Sequence, residues 1–305
     1  MALIAAPVHP VLAEGLKDAG YTLRMAEKIT PETAGELIAD CTGLITSVRL
    51  SVNRPLIDSA PGLKWIGRMG SGMEIIDTAY ARQKGIACFS SPEGNCNAVA
   101  EHALGMLLSL TKRINWGHRE IGQGLWRREP NRGMELEGRT IGIIGFGHTG
   151  SAFAKKLQGF DMRILAFDTD SSVHIPAYAE AATLEQILRE AEIISFHVPL
   201  TGDTHGYFNR DFTRAMQNPF ILINTSRGKV VDTEAALEGL ESGKIRGLAL
   251  DVLDTEPLGD MGDALRKRLL VAAERPEVVL TPHIAGYSGE ALYKMSKALL
   301  DKIIN

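Results

Sequence analysis

The sequence predicts an α/β protein built from two doubly wound parallel-sheet domains with a cleft between them. Three observations lead there. Short apolar runs alternate with segments of helical period along most of the chain, the rhythm of a parallel sheet covered by helices on both faces. Its 305 residues suffice for two cores. The rhythm breaks once, after the turn-rich SSPEGN at 90–95, and then begins again.

In the first cycle LIAA (3–6) reads as a strand and 10–19 as a helix. GLIT (43–46) is a strand, followed by a helix over 54–60 opened by Arg54-Pro55. LKWIG (63–67), a helix over 77–84 and IACF (86–89) complete it. A single long helix is predicted over 97–122, with Val99, Leu104, Leu107 and Leu108 on its apolar side. The second cycle has strands at TIGIIG (140–145), RILAF (163–167), IISFHV (193–198), FILINT (220–225), LALDV (248–252) and VVLT (278–281). Helices over 149–159, 183–190 and 233–242 separate some of them. The last segment, 289–303, carries Leu292, Met295, Leu299 and Ile303 at helical spacing and is expected to return to the first domain. The expected division is 1–94 plus 284–305 as one domain and 95–283 as the other.

Composition narrows the function. The chain is 45% hydrophobic and 23% charged, with net charge −4, which gives no basic surplus for nucleic acid or an acidic membrane. Cys41, Cys88 and Cys96 are scattered without metal-ligand spacing, so free thiols, no metal and a cytoplasmic location are expected. The beginning of the chain reads as a strand and not as a leader.

The strand TIGIIG runs into Gly145-Phe146-Gly147-His148-Thr149-Gly150, and a helix follows. GxGxxG alone is a weak signal. Here a strand precedes it, a helix follows it, and Asp168 closes the next strand about twenty residues on. Gly145 permits the turn, Gly147 lets a pyrophosphate approach the backbone, and Gly150 lets helix and strand pack closely. The helix start offers N–H groups to the anion. Asp168 would accept from ribose hydroxyls and repel a 2′-phosphate, so NAD is expected over NADP.

Ligands of open parallel sheets bind at the carboxyl ends of strands. Those ends carry His197 and Pro199, then Thr225, Ser226 and Arg227, then Asp251 and Glu256, then His283 and Gly286. Except for Arg227 and Glu256, these residues, with Thr204, Asp168 and the glycine motif including His148 and Thr149, are the expected cofactor contacts. Arg227 can clamp a carboxylate with its planar fork. His283 can move an alcohol proton, because imidazole titrates near 6.5. Glu256 can orient that ring. A turn-forming arginine, a helix-start glutamate and a structural histidine are each credible singly, but less so together beside a nucleotide motif. His102 reads as an ordinary helix residue.

These segments resemble the D-isomer-specific 2-hydroxyacid dehydrogenases. IGIIGFGHTG with Asp168, FHVPLTGDT, LINTSRGKVVD, LALDVLDTEP and LTPHIAG look like that family's segments in its order, as do RMGSGMEIID (68–77) and NAVAEHALGMLLSLTKR (97–113). The resemblance implies two Rossmann-like domains, NAD, and a homodimer formed largely through the cofactor domains. It also implies a catalytic Arg227, Glu256 and His283. Asp251 matches a residue that helps position the nicotinamide amide, and Gly70, Ser71 and Gly72 match a loop holding the substrate carboxylate. Within the family the chain looks most like short 3-phosphoglycerate dehydrogenases, whose Arg-Ser after the third strand is Ser47-Val48 here, with Arg49 just beyond. Arg49, Arg68 or Arg132 would then receive a phosphate. Residues 258–276 look like an extra helix, and a serine-binding regulatory domain is not expected. The expected reaction is NAD-dependent oxidation of a D-2-hydroxy acid or its reverse, on 3-phosphoglycerate first and on glyoxylate or hydroxypyruvate second. The competing class is an NAD-sensing dimeric corepressor.

Overall fold

In a computed structural model the chain forms two units, 1–97 with 287–305, and 98–286. Every residue except Glu27 and Arg49 is described, so the expectation placed on Arg49 lies outside the described residues.

The first unit is a parallel sheet of β1 (Ala2–Ile4), β2 (Leu23–Met25), β3 (Gly43–Thr46), β4 (Trp65–Arg68) and β5 (Ala87–Ser90). Their order is β2-β1-β3-β4-β5. Successive side chains of a strand face opposite ways, so Leu3 and Leu44 join one core and Ala2, Ile4 and Ile45 the other. The edge strand β2 and the helix Pro31–Ile38 have no counterpart in the sequence reading. LRM is three half-exposed residues, too short to show a period. The helix Gly289–Ile304 starts at Ser288, whose Oγ accepts the Ala291 N–H at 3.0 Å. It buries Leu299 and Leu300 in this unit. At Gly15 a methyl group would lie 2.2 Å from Leu300, so the helices meet at that glycine.

The second unit holds β6 (Thr140–Ile144), β7 (Arg163–Phe167), β8 (Glu180–Ala181), β9 (Ile193–Phe196), β10 (Phe220–Asn224), β11 (Ile245–Leu250) and β12 (Val278–Leu280). They are parallel, in the order β12-β11-β10-β9-β6-β7-β8. The central strands IISF and FILIN are buried throughout, as expected when helices cover both faces. After β6 the chain builds one side of the sheet and then crosses to build the other. The neighbours β6 and β9 therefore flank the switch point where such sheets bind ligands.

The predicted single helix over 97–122 is corrected. The helix is Pro92–Thr111, and a second one runs over Ile114–Gly122. Between them Arg113 adopts φ +57°, and the Thr111 carbonyl accepts the Met134 N–H at 2.8 Å. The chain thus turns where the apolar pattern continues. LALDV is also displaced, because β11 ends at Leu250 and leaves Asp251 beyond it. The segment after Glu256 contains the helix Asp263–Ala273, which buries Leu269 and Ala272. No helix among the described residues is long and apolar enough to cross a membrane.

Candidate active site

The glycine turn after β6 is built by close approach. Gly145 has φ +89°, and a Cβ there would sit 2.8 Å from the His197 carbonyl group. A Cβ on Gly150 would lie 2.0 Å from the Gly145 oxygen. Gly147 differs, with nothing within 4 Å of its missing Cβ. It opens the helix His148–Leu157 and supplies no side-chain cap to the first N–H groups, so these remain for an anion. His148 is exposed and Thr149 half-buried at that start. Asp168, just past β7, accepts from the Phe146 N–H at 2.6 Å and the Asp170 N–H at 3.0 Å. It braces the glycine turn, and its carboxylate has lone pairs to spare for a sugar hydroxyl.

At the end of β9, His197 lies against Phe153, with ring centroids 5.4 Å apart, and shares a hydrogen bond with Ser195 Oγ at 2.8 Å. Burial pushes its pKa down to about 3, so the ring is neutral near pH 7, although the residue as a whole keeps some exposure. Pro199 follows, and its carbonyl accepts from Thr204 Oγ1 at 2.6 Å. That bond closes the loop on itself. At the end of β10, the buried Thr225 hydroxyl has no hydrogen-bond partner, while Ser226 Oγ donates to Asn224 Oδ1 at 2.7 Å. An orphaned hydroxyl, an open glycine and an uncapped helix start, beside the braced turn, are what a dinucleotide would complete.

Arg227 comes next and donates to the Ser226 carbonyl at 2.8 Å. Gly228 lets its loop abut the following one, because a Cβ there would lie 1.6 Å from the Leu253 oxygen. That neighbouring loop carries Glu256, whose Oε1 accepts the Leu253 N–H at 2.7 Å and whose Oε2 lies 2.8 Å from His283 Nδ1. Burial alone would raise the Glu256 pKa. Hydrogen bonds from His283 and Leu253, with the charges of His283 and Arg227, outweigh it and hold the carboxyl below its ordinary 4.5. So three strand ends bring arginine, glutamate and histidine into one electrostatic neighbourhood.

His283 has φ +57°, uncommon for a residue with a side chain. Asp251, only 2% exposed, holds that turn from behind. It accepts from Thr281 Oγ1 at 2.6 Å and from the N–H groups of Ile284 and Ala285, both at 2.9 Å. The Asp251 carbonyl accepts the His283 N–H at 2.8 Å. His102, on the long helix, places Nε2 2.9 Å from Thr281 Oγ1 and 3.5 Å from Asp251 Oδ1. Helical periodicity accounted for His102 and could not reveal this contact, which joins residues 179 apart. Gly286 closes the segment.

Residues 104–285 match the family model described as D-isomer specific 2-hydroxyacid dehydrogenase, NAD binding domain. The chain belongs to this family. It is therefore an NAD-dependent oxidoreductase acting on CH–OH groups. A glyoxylate reductase of Thermofilum pendens is 37% identical over 88% of this chain and 78% of its own. A D-3-phosphoglycerate dehydrogenase of Archaeoglobus fulgidus is 29% identical over 99% of this chain, which spans 56% of that relative. Among solved structures, D-lactate dehydrogenase from Aquifex aeolicus with NAD and lactic acid aligns at TM-score 0.85 and 28% identity, over 99% of this chain and 93% of that one.

The remaining expected 2-hydroxyacid contacts lie elsewhere. Gly70, Ser71 and Gly72 follow β4 in the first unit. Gly70 has φ +125°, and a Cβ there would strike the buried Arg68 guanidinium. The Gly70 N–H is given to Ser91 Oγ at 3.0 Å, and Ser71 Oγ donates to Asn95 Oδ1 at 3.3 Å. Arg132 is exposed and paired with Glu129 at 2.7 Å.

Proposed function

We propose that this dehydrogenase interconverts a short 2-keto acid and its 2-hydroxy acid, of D configuration where C2 is chiral, with Arg227, Glu256 and His283 as the reacting side chains. The observation that carries this reading is the 2.8 Å hydrogen bond between His283 Nδ1 and Glu256 Oε2, beside Arg227. Glu256 takes the Nδ1 proton side, so Nε2 is the nitrogen that faces substrate oxygen. In reduction, Nε2–H gives its proton to the carbonyl oxygen at C2, and in oxidation the neutral ring takes it back. Arg227 holds the substrate carboxylate and polarises the C2 carbonyl. Bound NAD supplies or accepts the hydride at C2. Asp168 favours NAD over NADP, since a 2′-phosphate would meet a carboxylate already bracing the turn.

The substrate is glyoxylate or hydroxypyruvate in this reading, supported by the 37% identity to a glyoxylate reductase. A second reading, 3-phosphoglycerate, has the support of the Archaeoglobus fulgidus relative. Initial rates with glyoxylate, hydroxypyruvate and 3-phosphoglycerate, read as NADH absorbance, separate the two. A larger kcat/KM for the phosphorylated acid overturns the first reading. Absence of turnover with all three, together with NADH-dependent capture of a protein partner, would favour a corepressor-like role instead.

The enzyme is further proposed to be a cytoplasmic homodimer formed through the cofactor unit. Ile114 and Ile121 lie on one side of their helix and are more than half exposed, and Trp126 beyond it is 81% exposed. Sedimentation at micromolar concentration giving only a monomer would refute the dimer.

A further inference from the structure

One polar network in the cofactor unit is not used by the proposed reaction. It starts on the long helix Pro92–Thr111 and ends at the backbone of His283. Thr281 is its pivot. The hydroxyl carries a single proton, and at 2.6 Å that proton goes to Asp251 Oδ1. Toward His102 Nε2, 2.9 Å away, the same oxygen can then only accept. His102 must therefore carry a hydrogen on Nε2 and donate it. Met106, one helical turn further along, puts its sulfur 4.0 Å from the Thr281 oxygen and closes that side. Beyond Thr281, the Asp251 oxygens accept the N–H groups of Ile284 and Ala285, and its carbonyl accepts that of His283. The direction of every bond is fixed: imidazole to hydroxyl, hydroxyl to carboxylate, amide N–H groups to carboxylate and carbonyl.

We infer that His102 is a positioning residue for His283, acting through Thr281 and Asp251 to hold the turn in its left-handed conformation. The inference rests on the reading of His283 as the acid–base group. A histidine that merely filled helix surface would not need a donor at Nε2. This one is aimed at the hydroxyl that donates to the same Asp251 oxygen as the Ile284 N–H of the turn.

The test compares side chains that differ in a donor at that place. His102→Gln keeps an N–H close to the Nε2 position, His102→Asn holds its amide too short, and His102→Leu has none. Leu and Asn are expected to lower kcat about tenfold, with KM for NADH unchanged within about twofold, while Gln restores kcat to within about threefold. Thr281→Val should match the Leu loss and Thr281→Ser should recover it. Because both variants cut one chain, the H102L/T281V double variant should lose no more than either single variant. Melting curves and NADH titration of each variant confirm a folded, binding-competent enzyme. Equal kcat for Gln, Asn and Leu, or additive losses in the double variant, would overturn the inference. His283→Gln measured alongside separates the two readings. Unchanged turnover there sinks the acid–base assignment, whereas a collapse there beside an intact H102L sinks only the positioning role.

Discussion

Two turns of the cofactor unit solve one backbone problem in opposite ways. After β6 the chain needs a positive φ, and Gly145 supplies it at +89° with little intrinsic cost. After β12 the chain again enters the left-handed region, at +57°, but the residue there is His283. A non-glycine residue in that region costs about 1–2 kcal/mol. It is held by bonds to one buried aspartate. The difference teaches where chemistry overrides economy. A turn that only has to admit a ligand can be glycine, but a turn that has to present an imidazole cannot.

The sharpest way to break this comparison is His283→Gln. Turnover should fall by about 10²–10⁴-fold while NADH titration gives the wild-type affinity. Wild-type turnover would mean that the turn is strained for some purpose other than proton transfer. The glycine turn is tested by a pair. Gly150→Ala forces a methyl against the Gly145 oxygen and should lower Tm by roughly 3–10 °C. Gly147→Ala meets nothing, so the fold should barely notice it, while NADH affinity drops. Equal melting of the two variants would contradict the division between packing glycine and ligand-facing glycine.

A smaller effect is expected at Glu256. Glu256→Gln should cost about tenfold in turnover, the scale of one charge-assisted hydrogen bond. Its pKa sits below the ordinary 4.5 when folded, so its contribution to stability is complete above about pH 4.5. That contribution disappears as pH falls through the lowered value. Urea unfolding from pH 6 to 3 should show this acid limb in the wild type and a weaker one in E256Q. An unchanged limb would show that the ion pair with His283 does not form in solution.

The last expected effect, on stability and not on turnover, is at His197. Its folded pKa of about 3 lies far below the unfolded value near 6.5. The unfolded chain therefore binds the extra proton between those values, and stability declines as pH drops from 6.5 toward 3. His197→Asn should flatten the part of the decline nearest pH 6, read as the change in urea midpoint between pH 7.5 and 5. No flattening would mean that the ring is wetter than its place behind Gly145 suggests.

The fold was legible where burial is complete. GLIT and FILIN are buried throughout, and their strands start at the residues where the apolar runs predicted them. The edge strand LRM and the two-residue β8 were illegible, because neither is long or buried enough to impose a period on its residues. The break at Arg113 was hidden for a different reason. The carbonyl of Thr111 is taken by Met134, over twenty residues later, and no local pattern records that choice.

The sequence by itself determined the cofactor turn, the order of the strand ends and which polar residue each end carries. It could do so because glycine spacing and strand periodicity are local, and a parallel sheet turns chain order into position. Tertiary structure alone decided that His283 bonds Glu256 through Nδ1, that Gly228 lets the arginine loop touch the glutamate loop, and that a helix histidine 179 residues from Thr281 supports the aspartate behind the turn. These are directed contacts of a few ångströms between distant segments. Their geometry exists only once the sheet has assembled and its buried polar groups have had to find partners.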